Sequence, residues 1–258
     1  GGNVMEVQIH YELAALTFML AATLVFFRQR HLRVYRSSLF FWLMVLGVVT
    51  AACDVFCGIT DLKQIPFTAG IVAHTLLFIA SLVYSVVYSM YAMELLHRLD
   101  YIRDRKVLWC IPFVIGIILI MTTPFTGVLY TYDEQGMYHR GLGFYSIALI
   151  TLLYVMVPWI LMRRVSFVPQ KTKRWIIAIP VAVVTARILQ YVFFPRYLFA
   201  YAVNSVVLFC CYLFLQNSDY YMDEVTGFFK MHGFEETVRE KMVYKEECSV
   251  LILRIINY

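Results

Sequence analysis

The chain has 258 residues, 61% of them hydrophobic and 15% charged, with a formal net charge of +5. Soluble domains run nearer 45–50% apolar and about 25% charged. A water-soluble fold has no interior large enough for this much apolar surface, so the composition excludes an ordinary soluble enzyme and makes lipid the expected solvent.

A helix needs about 20 mostly apolar residues to cross ~30 Å of hydrocarbon. Seven stretches meet that length, at about 10–27, 39–57, 70–93, 107–123, 144–162, 175–194 and 198–216. The expected fold is therefore an all-α bundle of seven transmembrane helices. The first stretch has no basic residue before it and a basic cluster after it, the reverse of a secretory signal peptide, so it reads as a mature helix. Basic residues set the orientation. The first, third and fifth connecting segments hold thirteen Lys and Arg, among them Arg28, Arg33, Arg98, Arg105, Arg163 and Arg174. The amino terminus and the other connections hold three, Lys63, Arg140 and Arg196. The amino terminus is expected outside the cell and the carboxyl terminus in the cytoplasm. Trp42, Trp109, Trp159 and Trp175 all fall near predicted inner helix ends, as an interfacial aromatic belt requires.

The longest outer connection, 124–143, places Tyr130 and Tyr132 before a turn at Asp133–Gly136, and Tyr138, His139 and Arg140 after it. Aromatic and β-branched residues flanking such a turn predict a β-hairpin. It either caps the bundle on the outer side or is an ordered loop with no ligand role. The last two apolar stretches are divided by Pro195-Arg196-Tyr197, where proline stops one helix and the chain reverses.

Ionisable groups at membrane depth are costly and mark function or pairing. Asp54, His74, Arg187 and Asn204 belong to four different helices, with Gln190 and Tyr191 beside Arg187 and Glu12 at the outer end of the first helix. A rise of 1.5 Å per residue puts these groups in the outer half. Two readings stand. Asp54 and Arg187 form an ion pair that holds the bundle together, or the group lines an outward-facing pocket in which Arg187 or Asp54 recognises the charge of a small molecule. Five of the six cysteines lie in apolar runs and Cys248 in the tail, so they read as reduced thiols without a disulfide framework. Cys53 and Cys57 share a helix face beside Asp54, but the further ligands that a metal site needs are missing.

After Gln216 the composition becomes charged. Residues 234–247 predict an amphipathic helix and 249–255 a buried strand, too little chain for a stable domain, so the sequence is expected to stop inside one. The segment opens Asp223-Glu224-Val225-Thr226-Gly227-Phe228 and continues to Phe234. On Asp223, Thr226, Gly227 and Phe234 it resembles the start of GGDEF domains, the diguanylate cyclase family, and the following helix and strand come in that family's order. The likeness covers about 36 residues. Tyr138-His139-Arg140-Gly141, Gln190 before Phe194-Pro195, and Gln216-Asn217 also resemble the seven-helix sensor modules that precede such domains in bacteria.

The resemblance implies residues 1–216 as a sensor, 217–222 as a short linker and 223–258 as the start of an α/β GGDEF-like domain. It further implies cyclic-di-GMP signalling at the bacterial inner membrane, with a homodimer as the working unit. The chain departs from the family at Lys230-Met231, where the pattern has Asn-Arg, and at Arg254, where active cyclases carry a metal-binding aspartate; Ile256 replaces a second one. Arginine cannot ligate magnesium, which takes hard oxygen donors. No catalytic residue and no metal ligand is therefore assigned, and Mg and GTP are expected only if an intact cyclase domain follows. The remaining outputs are a degenerate GGDEF regulator of an EAL-type phosphodiesterase, or, from another class, a transporter of a small polar solute. Against a transporter, Pro158 and Pro180 are read as the only prolines well inside spans, and no internal repeat is evident. Residues 198–216 contain no lysine for a retinal Schiff base, and His232 lacks the neighbours of a kinase phospho-acceptor. The basic clusters are short and juxtamembrane. They suit anionic lipid head groups rather than nucleic acid.

Overall fold

The structure, a computed structural model, describes residues 2–28, 38–63, 67–96, 98–133, 138–163, 170–193 and 200–213, together with Lys230, Met231, Gly233, Phe234, Glu235 and Val238. The chain divides into two compact units, Gly1–Leu215 and Gln216–Tyr258. In the second, the described residues from Met231 to Val238 are helical, so helix begins earlier than the predicted residue 234. The backbone N–H of Phe234 donates to the Lys230 carbonyl at 3.0 Å. The strand expected at 249–255 and residues Asp223, Thr226, Gly227 and Arg254 lie outside the described residues.

Among the described residues, each of the seven apolar stretches carries a helix. The long helices are α1 (Gly2–Arg28), α2 (Ser38–Lys63), α3 (Phe67–Leu95), α5 (Lys106–Thr126), α6 (Phe144–Met162), α7 (Gln170–Val192) and α8 (Ala200–Cys211). Four of them carry segments long and apolar enough to cross a membrane: Ser38–Thr60, Thr68–Leu95, Lys106–Thr126 and Phe144–Met162. In α1 and α8 the described apolar parts, Leu13–Phe27 and Ala202–Cys211, are shorter. The seventh long helix, α7, carries Lys171, Lys173, Arg174 and Arg187.

One helix was not expected. A short α4, Leu99–Asp104, follows α3, with no buried residue of its own. Its six residues are too few to show a helical period. Arg103 pairs with Asp100 at 3.0 Å, and the Arg105 guanidinium lies over the Tyr101 ring at 4.6 Å. The proline reading also needs correction. Pro112 and Pro124 lie inside α5, in addition to Pro158 in α6 and Pro180 in α7.

Helix α3 is the centre of the unit and packs against α2, α5 and α6, while α8 packs against α1 and α7. Aromatic contacts fix the directions. Phe18 meets Phe209, and Phe26 meets both Phe40 and Tyr212, while Phe40 meets Tyr91. The ends of α1, α3 and α8 thus gather at the start of α2, so successive long helices alternate in direction. At this end lie the described basic residues Arg28, Arg98, Arg103, Arg105, Lys106, Arg163, Lys173 and Arg174. Met44, Tyr91, Leu96, Met162, Ile176, Leu208 and Tyr212 belong to the core there.

The opposite end carries a two-stranded antiparallel hairpin, β1 (Tyr130–Tyr132) and β2 (Tyr138–Arg140). Tyr130 pairs with Arg140, Thr131 with His139 and Tyr132 with Tyr138. The expected hairpin is present. Gly127 ends α5 in the left-handed region at φ 66°, a conformation that favours glycine, and this turns the chain into β1. A second core of Leu82, Ile120, Leu129, Tyr130, Ile147 and Tyr154 lies beneath the hairpin. The outward faces are apolar: Leu108, Ile118 and Phe125 on α5 and Leu149 and Ile160 on α6 are exposed. A bundle surface of this kind is the one that lipid covers.

Candidate functional site

The hairpin alternates its side chains with period two. Tyr130, Tyr132 and Tyr138 are buried or half-buried, while Thr131 and His139 are exposed. The inward three converge on His74 of α3. The His74 ring stacks on Tyr138 with centroids 4.4 Å apart and planes at 15°, and lies 5.6 Å from Tyr130 and 5.9 Å from Tyr132. Its Nδ1 is 2.7 Å from the Tyr132 hydroxyl and 3.2 Å from the Gly70 carbonyl. The shorter contact has the length of a hydroxyl donating to a ring nitrogen. Gly70 makes that approach possible, since a Cβ there would stand 2.7 Å from the Tyr132 hydroxyl oxygen.

Tyr130 anchors the hairpin a second time. Its hydroxyl donates to the Ile71 carbonyl at 3.0 Å. Its single proton is then used, so Thr75 Oγ1, 2.7 Å away, is the donor to the Tyr130 oxygen. Burial pushes the Tyr130 ionisation upward. Positions 70–71 and 74–75, one turn apart on α3, are therefore tied to the hairpin. His139 and Arg140 are turned elsewhere. His139 Nε2 pairs with Asp133 at 3.0 Å on the surface, and the Arg140 guanidinium lies 5.2 Å above the Phe144 ring.

The other predicted polar residues fall deeper. Tyr84, ten residues along α3 from His74, donates its hydroxyl to Asn204 Oδ1 of α8 at 3.0 Å, and the Arg187 charge acts on the same hydroxyl. Ten residues of helix amount to about 15 Å along the axis. The predicted residues are thus not one cluster at one depth. His74 belongs to the hairpin, whereas Asn204 meets Tyr84, and Gln190 is buried one turn from Arg187 on α7. Asp54 is buried on α2, one turn before Cys57, which is buried as well. The side chains of Glu12 and Tyr191 lie outside the described residues. Phe234, in the second unit, is exposed at 39%.

Residues not singled out from sequence complete both groups: Gly70, Thr75 and Tyr84. Their types carry no signal of their own. Tyrosine is one of the commonest residues here, and only contacts across 55 or more positions give these three a role. Among the described residues no group of His, Cys, Asp or Glu is placed to hold a metal ion, and Cys53, Cys57, Cys110, Cys210 and Cys211 form no disulfide. No family model matches the chain, and neither a curated protein nor a solved structure does.

Proposed function

We propose that the chain is a membrane receptor in which all seven long helices span the bilayer, with the hairpin outside and the basic end in the cytoplasm. An extracellular small molecule acts at the hairpin end, and the signal passes to a GGDEF-type cyclic-di-GMP output beginning near Asp223. The observation that carries the reading is the double attachment of α3. At one end the helix is bonded to the hairpin through His74 and Tyr132. Further along it is bonded to α8 through Tyr84 and Asn204. Helix α8 runs toward the basic end and is the last helix before the segment that resembles a GGDEF start. A hairpin displaced by a ligand therefore acts on the helix that precedes the output.

The orientation rests on the excess of Lys and Arg at one end. The α7 charges Lys171, Lys173 and Arg174 lie in its first turns, where long side chains reach the head groups. The homodimer follows from the paired action of GGDEF domains, and the cofactors Mg and GTP belong to whatever cyclase domain continues the chain. Arg254, at the position of a metal-binding aspartate, favours a second reading of the output as a non-catalytic GGDEF regulator of an EAL-type phosphodiesterase.

The test expresses the full protein in bacteria and measures cellular cyclic-di-GMP. Wild type should shift its level, and Arg187→Leu, inserted to the same extent, should abolish the shift. Equal levels in wild type, variant and empty-vector cells would sink the receptor reading. Solute flux in liposomes that disappears in Arg187→Leu would replace it with the transporter.

A further inference from the structure

Proline inside a helix has no N–H and leaves the carbonyl four residues earlier without its helical donor. In the hydrocarbon of a bilayer such a carbonyl must be satisfied by protein. Pro158 frees the Tyr154 carbonyl of α6, and Pro180 frees the Ile176 carbonyl of α7. Each is faced by a hydroxyl of α3, the first closely and the second at longer range. The buried Ser89 hydroxyl donates to the Tyr154 carbonyl at 2.5 Å, and the Tyr88 hydroxyl reaches the Ile176 carbonyl at 3.5 Å.

Like Ser205, which reaches the Ala15 carbonyl of α1 at 3.5 Å, Ser89 bonds a carbonyl of another helix, and its bond is the shorter. Thr17, Thr23, Thr50, Thr60, Ser85 and Thr151 each bond a carbonyl of their own helix three or four residues back, the usual habit of helical hydroxyls. Ser89 instead crosses 65 positions to a carbonyl that a proline has freed. Tyr154 passes the connection on. Its hydroxyl donates to the Trp109 carbonyl of α5 at 2.6 Å. The bond lands on α5 three residues before Pro112, and a helical proline is a recognised cause of a bend.

We propose that α3 is the hub of a set of proline hinges, in which Ser89 and Tyr88 hold the bends of α6 at Pro158 and of α7 at Pro180, so that a shift of α3 resets both. The receptor reading supplies only the use of such a device. The hinges are testable without a ligand, so failure of one reading is separable from failure of the other.

The decisive measurement is a double-mutant cycle on thermal unfolding of the full chain in detergent. Ser89→Ala should lower Tm by about 3 °C when Pro158 is present. In a Pro158→Ala background residue 158 supplies the N–H, and the same change should lower Tm by less than about 1 °C. Equal losses in both backgrounds overturn the hinge. A second measurement stands if Pro158→Ala does not fold. With Trp42, Trp109 and Trp175 replaced by phenylalanine, the emission of Trp159, adjacent to the hinge, should shift in Ser89→Ala and hold in Ser89→Thr, which keeps the hydroxyl. Emission that is the same in all three proteins overturns the proposal.

Discussion

His74 is held by groups that come from far away in the chain. An ionisable residue in an apolar stretch is conspicuous, and its position alone singled it out. Its surroundings were not legible, because Tyr132 approaches from 58 positions along the chain and only where Gly70 leaves room. The added Cβ of Gly70→Ala would stand 2.7 Å from the Tyr132 hydroxyl oxygen and 2.9 Å from its Cζ. The ring must move, and the bond to Nδ1 is lost with it. Overpacking of this kind costs about 1–3 kcal/mol. Tyr132→Phe removes only the hydroxyl and should cost about 1 kcal/mol. Thermal unfolding of both variants gives the comparison. If Gly70→Ala proves no more harmful than Tyr132→Phe, the close approach is not a constraint.

The hairpin was legible because alternating aromatics and a turn occupy consecutive residues. What the pattern could not show is how the hairpin is seated between α5 and α6. The Gly141 N–H donates to the Leu129 carbonyl and the Gly143 N–H to the Val128 carbonyl, both at 2.8 Å. A Cβ at Gly141 would stand 2.2 Å from the Val128 carbonyl oxygen and 2.6 Å from that of Gly127. Main-chain atoms cannot swing aside, so Gly141→Ala must break the seat. Amide exchange at Tyr130–Tyr132 should then accelerate by about tenfold or more, the effect of losing about 1.4 kcal/mol of local stability. The helices inside the bundle should stay protected. Unchanged exchange in the strands would show that the hairpin does not depend on this contact. Elements too short to repeat their period escaped the same reading, as the six-residue α4 did. Pro112 was passed over because the apolar run around it continues without interruption.

At the scale of the molecule, the apolar stretches named the helices, and the count of basic residues named their ends. The assembly adds a consequence that neither provides. Directions alternate through seven long helices, so the start of α1 shares the hairpin end and the end of α8 shares the basic end. An odd number of alternating long helices separates the start of α1 from the end of α8 in this way. The four helices that meet the length and hydropathy of a span include both flanks of the hairpin, α5 and α6. If these cross, the hairpin and the short α4 lie on opposite sides of the membrane. His139 on the hairpin and Arg103 on α4 are well exposed, at 60% and 79% for their side chains, so each can report its side without disturbing a core. With the native cysteines replaced by alanine, His139→Cys should react with a membrane-impermeant maleimide on intact cells. Arg103→Cys should react only after permeabilisation. The reverse pattern would place the basic end outside and contradict the charge rule. Labelling of both on intact cells would mean that α5 does not cross, and the seven-span arrangement would fall with it.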